Sequence, residues 1–420
     1  MPDLHADPTV PETASRPAPG TARVRTVLAS AALVLLVQGM VGQFVFQGIP
    51  AFLRKAGHSP EVIGLIFLAG IPYILRFLWA PLVDRYGWPA FGHRRSWILP
   101  VQLLMVLAVG GLLFLDPADG ARPIVVMAGL IMVLIGTQLV AIGAFMLENL
   151  PRASHPAAAS VQGMAAAVAG FVLGGGVLYL VADRGWTATV TVLAGLCALG
   201  LVAVLLLPLD RGRGAAASGV SPMASLVMLK RPDVRRLLLL LMFVETGLAL
   251  PYGMKAIVQV DAGLTVAQIG LLGVVGGNAA GLLGAWAARP VVDRLGAGRT
   301  LFGIGLLTAT LYAGLSLLVE GRPTPGAAAV FVLTSNLLLF AHFTASRSLI
   351  MGVCDAARAG TELATFLCFC GALNLALASA GNSLSVWLGL TGLFLSAAGV
   401  AVVGAMAALW LTGGPRAPAR

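Results

Sequence analysis

Long apolar runs alternate with short polar turns along almost the whole chain. A helix needs about 20 apolar residues to cross the hydrocarbon core of a bilayer. Twelve runs reach that length: 27–53, 61–83, 97–115, 123–147, 157–181, 187–208, 234–258, 266–288, 300–319, 326–350, 361–382 and 386–411. The pattern predicts an all-α integral membrane protein with twelve transmembrane helices. Pro and Gly inside several runs are compatible with that reading, because neighbouring helices satisfy freed backbone groups. One long polar connection, 209–233, carries Arg211, Arg213, Lys230 and Arg231. It predicts two six-helix bundles, 27–208 and 234–412, joined by a cytoplasmic linker. Residues 1–26 read as a disordered cytoplasmic tail and 413–420 as a short C-terminal tail. The first run is too long for a signal-peptide core and lacks a convincing cleavage site, so it is expected to remain as the first helix.

Composition makes the bilayer the solvent. Hydrophobic residues are 58% of the chain and charged residues 10%, against roughly 25% charge in soluble domains. The net charge of +10 does not indicate nucleic acid, because the arginines sit singly or in pairs between apolar runs. With both termini cytoplasmic, about 20 of the 27 Lys and Arg fall on the cytoplasmic side, as the positive-inside rule requires. Arg54, Lys55, Arg122, Arg184, Lys255 and Arg322 fall on the other side, and Arg76 lies within a span. The expected location is the inner membrane.

Pro81-Leu82-Val83-Asp84-Arg85-Tyr86-Gly87 returns as Pro290-Val291-Val292-Asp293-Arg294-Leu295-Gly296. Each copy ends the second span of its half. Glycine permits the tight turn, and an aspartate here can be met by the positive end of a facing helix. Two halves, twelve spans and this repeated Asp-Arg-x-Gly turn resemble the major facilitator superfamily. The resemblance implies that Asp84, Arg85 and Gly87, with Asp293, Arg294 and Gly296, form conformational latches. Asp84 would meet the start of span eleven, and Asp293 the start of span five. The leading glycine of that family's motif is Ala80 in one copy and Arg289 in the other, and Trp88 to Phe91 are inserted before Gly92-His93-Arg94-Arg95. Span eight carries Gly273, Gly277 and Gly281, and span five carries Gly163, Gly170 and Gly174. Small residues allow close helix approach, and in the superfamily these two helices cross between the halves.

Charged groups inside a membrane are functional candidates by default. Arg76 lies eight residues before Asp84, roughly 12 Å along the helix. It is the first candidate for an anionic substrate group, with an internal pair to Glu245 or Glu362, or a structural bond to backbone carbonyls, as the equal alternatives. Glu245, eleven residues into span seven, is the first candidate for proton coupling, with a permanent salt bridge as the alternative. Glu362 is a second coupling candidate that could instead cap span eleven. Lys255, His342 and Arg347 complete the charged and imidazole groups, His342 being weighed for substrate contact. Gln38, Gln43 and Gln47 suggest a wet face on span one. Gln138, Gln162, Asn278, Asn336 and Asn374 could extend it, with Trp79 and Tyr252 as aromatic contacts; helix-to-helix hydrogen bonds are the competing role.

Arg76-Phe77-Leu78-Trp79-Ala80-Pro81 before the Asp-Arg turn is similar to a branch holding AmpG-like muropeptide permeases, acetyl-CoA transporters and RhtX/FptX-type siderophore importers. Ala262-Gly263-Leu264-Thr265, Ile269-Gly270-Leu271-Leu272-Gly273 and Ala359-Gly360-Thr361-Glu362 resemble the siderophore importers. The branch's Gln-Asp-x-x-x-Asp in span four is absent, since Gln138 is followed by Leu139 and Ile142. The resemblance implies a secondary transporter, read first as a proton-coupled siderophore importer. Muropeptide or acyl-CoA-type uptake and drug efflux are the alternatives, and a non-transport sensor is a remote one. Aromatic walls near Phe44, Phe46, Trp79 and Tyr252 would favour an aromatic chelate; a basic cavity would favour an anionic cargo. No P-loop is present. No Ser-His pair or metal-ligand spacing points to an enzyme, and neither metal nor cofactor is expected. Cys197, Cys354, Cys368 and Cys370 read as packing residues. The expected partners are a small-molecule substrate and the lipid bilayer, with the protein acting as a monomer.

Overall fold

The computed structural model describes residues 21–58, 62, 65–66, 68–172, 185–208, 227–265, 268–269, 271–319, 323–355 and 358–412. Most of the expected tails and linker lies outside them. Every regular element among the described residues is helical. Ten helices there are long and apolar enough to cross a membrane. They fall on ten of the twelve expected spans. Span two is represented by the broken series Ile71–Leu75, Arg76–Leu78 and Ala80–Arg85, and span five by His155–Phe171. The first helix begins at Thr21, inside the stretch read as a tail. Spans eleven and twelve share the helix Ala359–Thr412, broken at Gly389, later than the expected boundary. Gly389 has φ 68°, the left-handed region where a side chain would strain the chain.

Three apolar clusters organise the bundle. One contains Val83, Val140 and Met146 from the first half with Leu241, Ala345 and Phe366 from the second. It therefore seals the halves together at the end that carries the Asp-Arg turns. The other two lie towards the opposite end, one within each half: Phe44, Ile66 and Leu112 in the first, and Leu250, Tyr312 and Phe394 in the second. Among the described residues, the apolar cluster shared by both halves lies on that one side.

Span five packs against span eight. Ser160 Oγ donates to the Ala285 carbonyl at 2.8 Å, and a methyl group at Gly163 would stand 3.1 Å from Ala285 Cβ. The glycines of span eight mostly face elsewhere. Gly277, Gly281 and Gly284 abut Asn336, Phe340 and the Leu337 carbonyl of span ten. They allow close packing within the second half rather than between halves. Gly174 lies outside the described residues.

A cationic cavity between the halves

Span two is interrupted where its chemistry is placed. Pro72 and Pro81 each sit in the first turn of a short helix. Pro81 has no N–H to return to the preceding turn, and the three-residue 3₁₀ segment Arg76–Leu78 fills the gap. Arg76 is buried. Its Nη1 donates to the Tyr73 carbonyl at 2.6 Å, and its guanidinium lies 4.3 Å from the Tyr73 ring centre. No carboxylate lies within ion-pair distance among the described residues, so the alternative pair with Glu245 or Glu362 is not seen there, and the Tyr73 contact is the backbone-carbonyl bond that was the other alternative.

Arg76 faces a cavity of about 450 Å³ shared by both halves. Arg347 of span ten lines the same cavity, its guanidinium 4.9 Å from the Phe343 ring centre. It too has no carboxylate partner among the described residues. Glu245 is the acid of the lining and is already engaged. Asn374 Nδ2 donates to its Oε2 at 2.8 Å, and His342 Nε2 lies 3.1 Å from its Oε1. That second contact is an ion-pair distance without hydrogen-bond alignment. Among the described residues the cavity thus holds two guanidinium groups with no carboxylate at ion-pair distance, and one acid that is already engaged.

The remaining candidates divide. Gln38, Gln43 and Gln162 line the cavity. Gln38 donates to the Ile135 carbonyl at 2.6 Å, while Gln162 Nε2 is buried without a hydrogen-bond partner among the described residues. Gln47 donates to Gln43 but is itself exposed. Gln138 belongs to the packing of the first half, donating to Gln102 at 2.6 Å, which donates to the Cys197 carbonyl at 2.8 Å. Trp79 bonds Thr137 at 3.1 Å, and Asn278 bonds the Val274 carbonyl at 2.7 Å. Tyr252 lies under Lys255, 3.6 Å from its Nζ. None of these four lines the cavity, and His342 stands behind Glu245 rather than on the wall. Phe44 packs against Trp186 instead, leaving Phe46 as the one expected aromatic in the lining. Sequence reasoning noticed Arg347 but assigned it no role. Cys368 and Cys370 also line the cavity and were read only as packing.

At the sealed end, Asp84 is fully buried. Its Oδ1 accepts the Gly360 amide at 3.0 Å, and its Oδ2 accepts the Thr361 amide at 2.6 Å and the Thr361 hydroxyl at 2.5 Å. These groups open span eleven. Arg94 Nη2 lies 2.7 Å from Asp84 and 2.6 Å from Glu148. Burial opposes its charge, yet the two carboxylates outweigh that penalty and hold its pKa above the ordinary arginine value. Gly87 is required by contact, since a Cβ there would meet the His93 ring at 2.3 Å. Arg85 is exposed and has no carboxylate partner among the described residues.

Glu362 lies outside the cavity. It pairs with Arg231 at 2.8 Å and accepts the Asp355 amide, in the loop after span ten, at 2.9 Å, while the first amides of span eleven go to Asp84 instead. The second turn departs further. Asp293 is exposed and pairs with Arg289 on its own helix at 3.8 Å, with no contact to span five among the described residues. Arg289 stands where the family motif has glycine, and takes the carboxylate one turn away. Arg294 is exposed, and Gly296, at φ 81°, passes directly into the next helix.

The sequence profile of the Major Facilitator Superfamily matches residues 31–379. The chain belongs to the Major Facilitator Superfamily. Among superfamily members, the Anhydromuropeptide permease of Escherichia coli (strain K12) is 27% identical over 327 residues, which cover 75% of this chain and 65% of that permease. The superfamily fold is also seen in a bacterial homologue of the iron transporter ferroportin in an outward-facing state. Its TM-score is 0.70 at 15% identity, with 93% of this chain and 100% of that one covered. The E. coli fucose:proton symporter FucP aligns with a TM-score of 0.67 at 14% identity, covering 92% and 98%. These two likenesses establish the fold. The protein is a multi-pass membrane protein of the superfamily, and it spans just under two thirds of the length of that permease.

Proposed function

We propose that this transporter imports an anionic, carboxylate-bearing solute of the anhydromuropeptide class across the inner membrane, by alternating access coupled to protons. One observation carries the reading: Arg76 and Arg347, one from each half, face a common cavity without a carboxylate partner among the described residues. A buried guanidinium is stabilised by an anion that it can hold through paired hydrogen bonds. The similarity to an anhydromuropeptide permease supports that substrate class over the siderophore first expected.

Glu245 is the proposed proton carrier, reachable from the cavity and backed by His342. Asp84 is the proposed latch on the cytoplasmic side, closed while the cavity faces outward. Asp293 has no contact to span five among the described residues and is not assigned a latch role.

The test is uptake of a labelled anhydromuropeptide into right-side-out vesicles, compared with the same compound whose carboxylates are amidated. Loss of a charge-assisted bond costs about 1.5–3 kcal/mol, so amidation is expected to weaken uptake about tenfold to a hundredfold. The penalty should shrink in Arg347→Gln. Equal uptake of the amidated and free acids by the wild type would overturn the proposal.

A further inference from the structure

The insertion Trp88 to Phe91 has no counterpart in the second half, where Gly296 runs straight into helix Ala297–Leu318. It contributes nothing to the cavity or to the Asp84 contacts, yet it is firmly built. Pro89–Phe91 form a 3₁₀ turn. The Phe91 amide donates to the Trp88 carbonyl at 3.1 Å, and the Trp88 amide donates to Ser96 Oγ at 3.0 Å. Ser96 Oγ in turn donates to the His93 carbonyl at 2.7 Å. Trp97 Nε1 donates to the Tyr86 carbonyl at 2.5 Å. Gly92, at φ 86°, closes the turn.

This rigid loop points its apolar groups outward. Trp88 is 72% exposed, Phe91 58% and Tyr86 54%, and the Trp88 and Phe91 rings lie 6.2 Å apart as one patch. The patch sits level with the end of a membrane span, because Arg95 Nη2 donates to the carbonyl of Leu205 at 3.1 Å, in the last turn of span six. Arg85 and Arg95 flank it, and neither has a carboxylate partner among the described residues. Exposed aromatics at the end of a span belong at the headgroup level, and cations beside them attract anionic lipid.

We propose that the Tyr86–Arg95 loop is a docking surface for anionic phospholipid, with Trp88 and Phe91 inserted at the headgroup boundary and Arg85 and Arg95 on the lipid phosphates.

The test uses the full-length protein in nanodiscs of phosphatidylglycerol or phosphatidylcholine, each brominated near the carbonyl end of the acyl chains. The Trp88 signal is taken as the emission difference between wild type and Trp88→Phe, both checked for monodispersity. Bromolipid is expected to quench this signal, and to do so at lower mole fractions of phosphatidylglycerol than of phosphatidylcholine. With each arginine worth about fivefold in anionic-lipid preference, Arg85→Gln and Arg95→Gln should each weaken the preference by about that factor. An unquenched Trp88 signal would overturn the proposal, as would equal quenching in both lipids. A preference unchanged in both arginine variants would overturn the lipid-phosphate contact. Protection of Trp88 in native membranes but not in nanodiscs would point instead to a protein partner, and would also count against it.

Discussion

Gly360→Ala is the sharpest perturbation of the closed end, because it changes neither charge nor hydrogen-bonding groups. A Cβ at residue 360 would stand 2.6 Å from Asp84 Oδ1 and 3.0 Å from Val140 Cγ1. Ordinary contact begins at 3.4 Å, so the carboxylate must retreat by about 0.8 Å. Its bond from the Gly360 amide is already 3.0 Å long, and that retreat takes it beyond hydrogen-bond range. The carboxylate cannot simply swing away, because Arg94 and Thr361 hold both its oxygens. Losing one charge-assisted bond costs about 1.5–3 kcal/mol, which lowers the closed-to-open ratio at this end about tenfold to a hundredfold. Cys354, buried in the cluster that seals the two halves, supplies the assay. Labelling by an impermeant maleimide in inside-out vesicles should accelerate in the variant, read against a control lacking Cys368 and Cys370. Gly352→Ala is the companion control, since nothing lies within 4 Å of its Cβ position. Normal membrane abundance with unchanged labelling and unchanged uptake in Gly360→Ala would refute the latch geometry as a control of the gate.

Asp84→Asn should lower uptake at normal abundance, because an amide presents N–H where Arg94 and two backbone amides need an acceptor; full activity would remove the role assigned to Asp84. Glu245→Gln should abolish proton-driven accumulation while preserving counterflow exchange, and accumulation equal to wild type would place coupling elsewhere. Arg76→Gln should raise the KM for the anionic solute about tenfold to a hundredfold, whereas Gln47→Ala, outside the cavity wall, should leave it unchanged; the reverse order would misplace the site. Gly284→Ala should lower the unfolding temperature in detergent, because its Cβ would meet the Leu337 carbonyl at 2.0 Å; Gly303→Ala, with open space at that position, should not.

The span pattern was legible because bilayer thickness imposes a length on every apolar run, and that length does not depend on which residues touch. The Asp84 turn was legible for a related reason: Pro, Asp, Arg and Gly at fixed spacing encode a local shape. The second copy shows the limit of such reading. Asp293 has the same neighbours as Asp84, but Arg289 one turn away takes its carboxylate, and no spacing rule says which partner wins. The cavity was harder still. Gln138 and Gln162 look alike in an apolar run; one donates to Gln102 inside the first half, while the other lines the cavity. That difference depends on helix rotation, which an amphipathic stripe would reveal in water but a uniformly apolar span does not. Arg347 was visible as a charge, and only packing shows that it shares a space with Arg76. Glu362 was read for coupling or capping, and its pairing with Arg231, well over a hundred residues away, could not be read from spacing.

Head-to-head counterflow in proteoliposomes tests the central claim most directly. Vesicles preloaded with unlabelled anhydromuropeptide, and parallel vesicles preloaded with a ferric siderophore, are diluted into the matching labelled compound. Exchange of the anhydromuropeptide, reduced in both Arg76→Gln and Arg347→Gln, is the expected result. Exchange of the siderophore alone, or anhydromuropeptide exchange indifferent to both arginines, would contradict it.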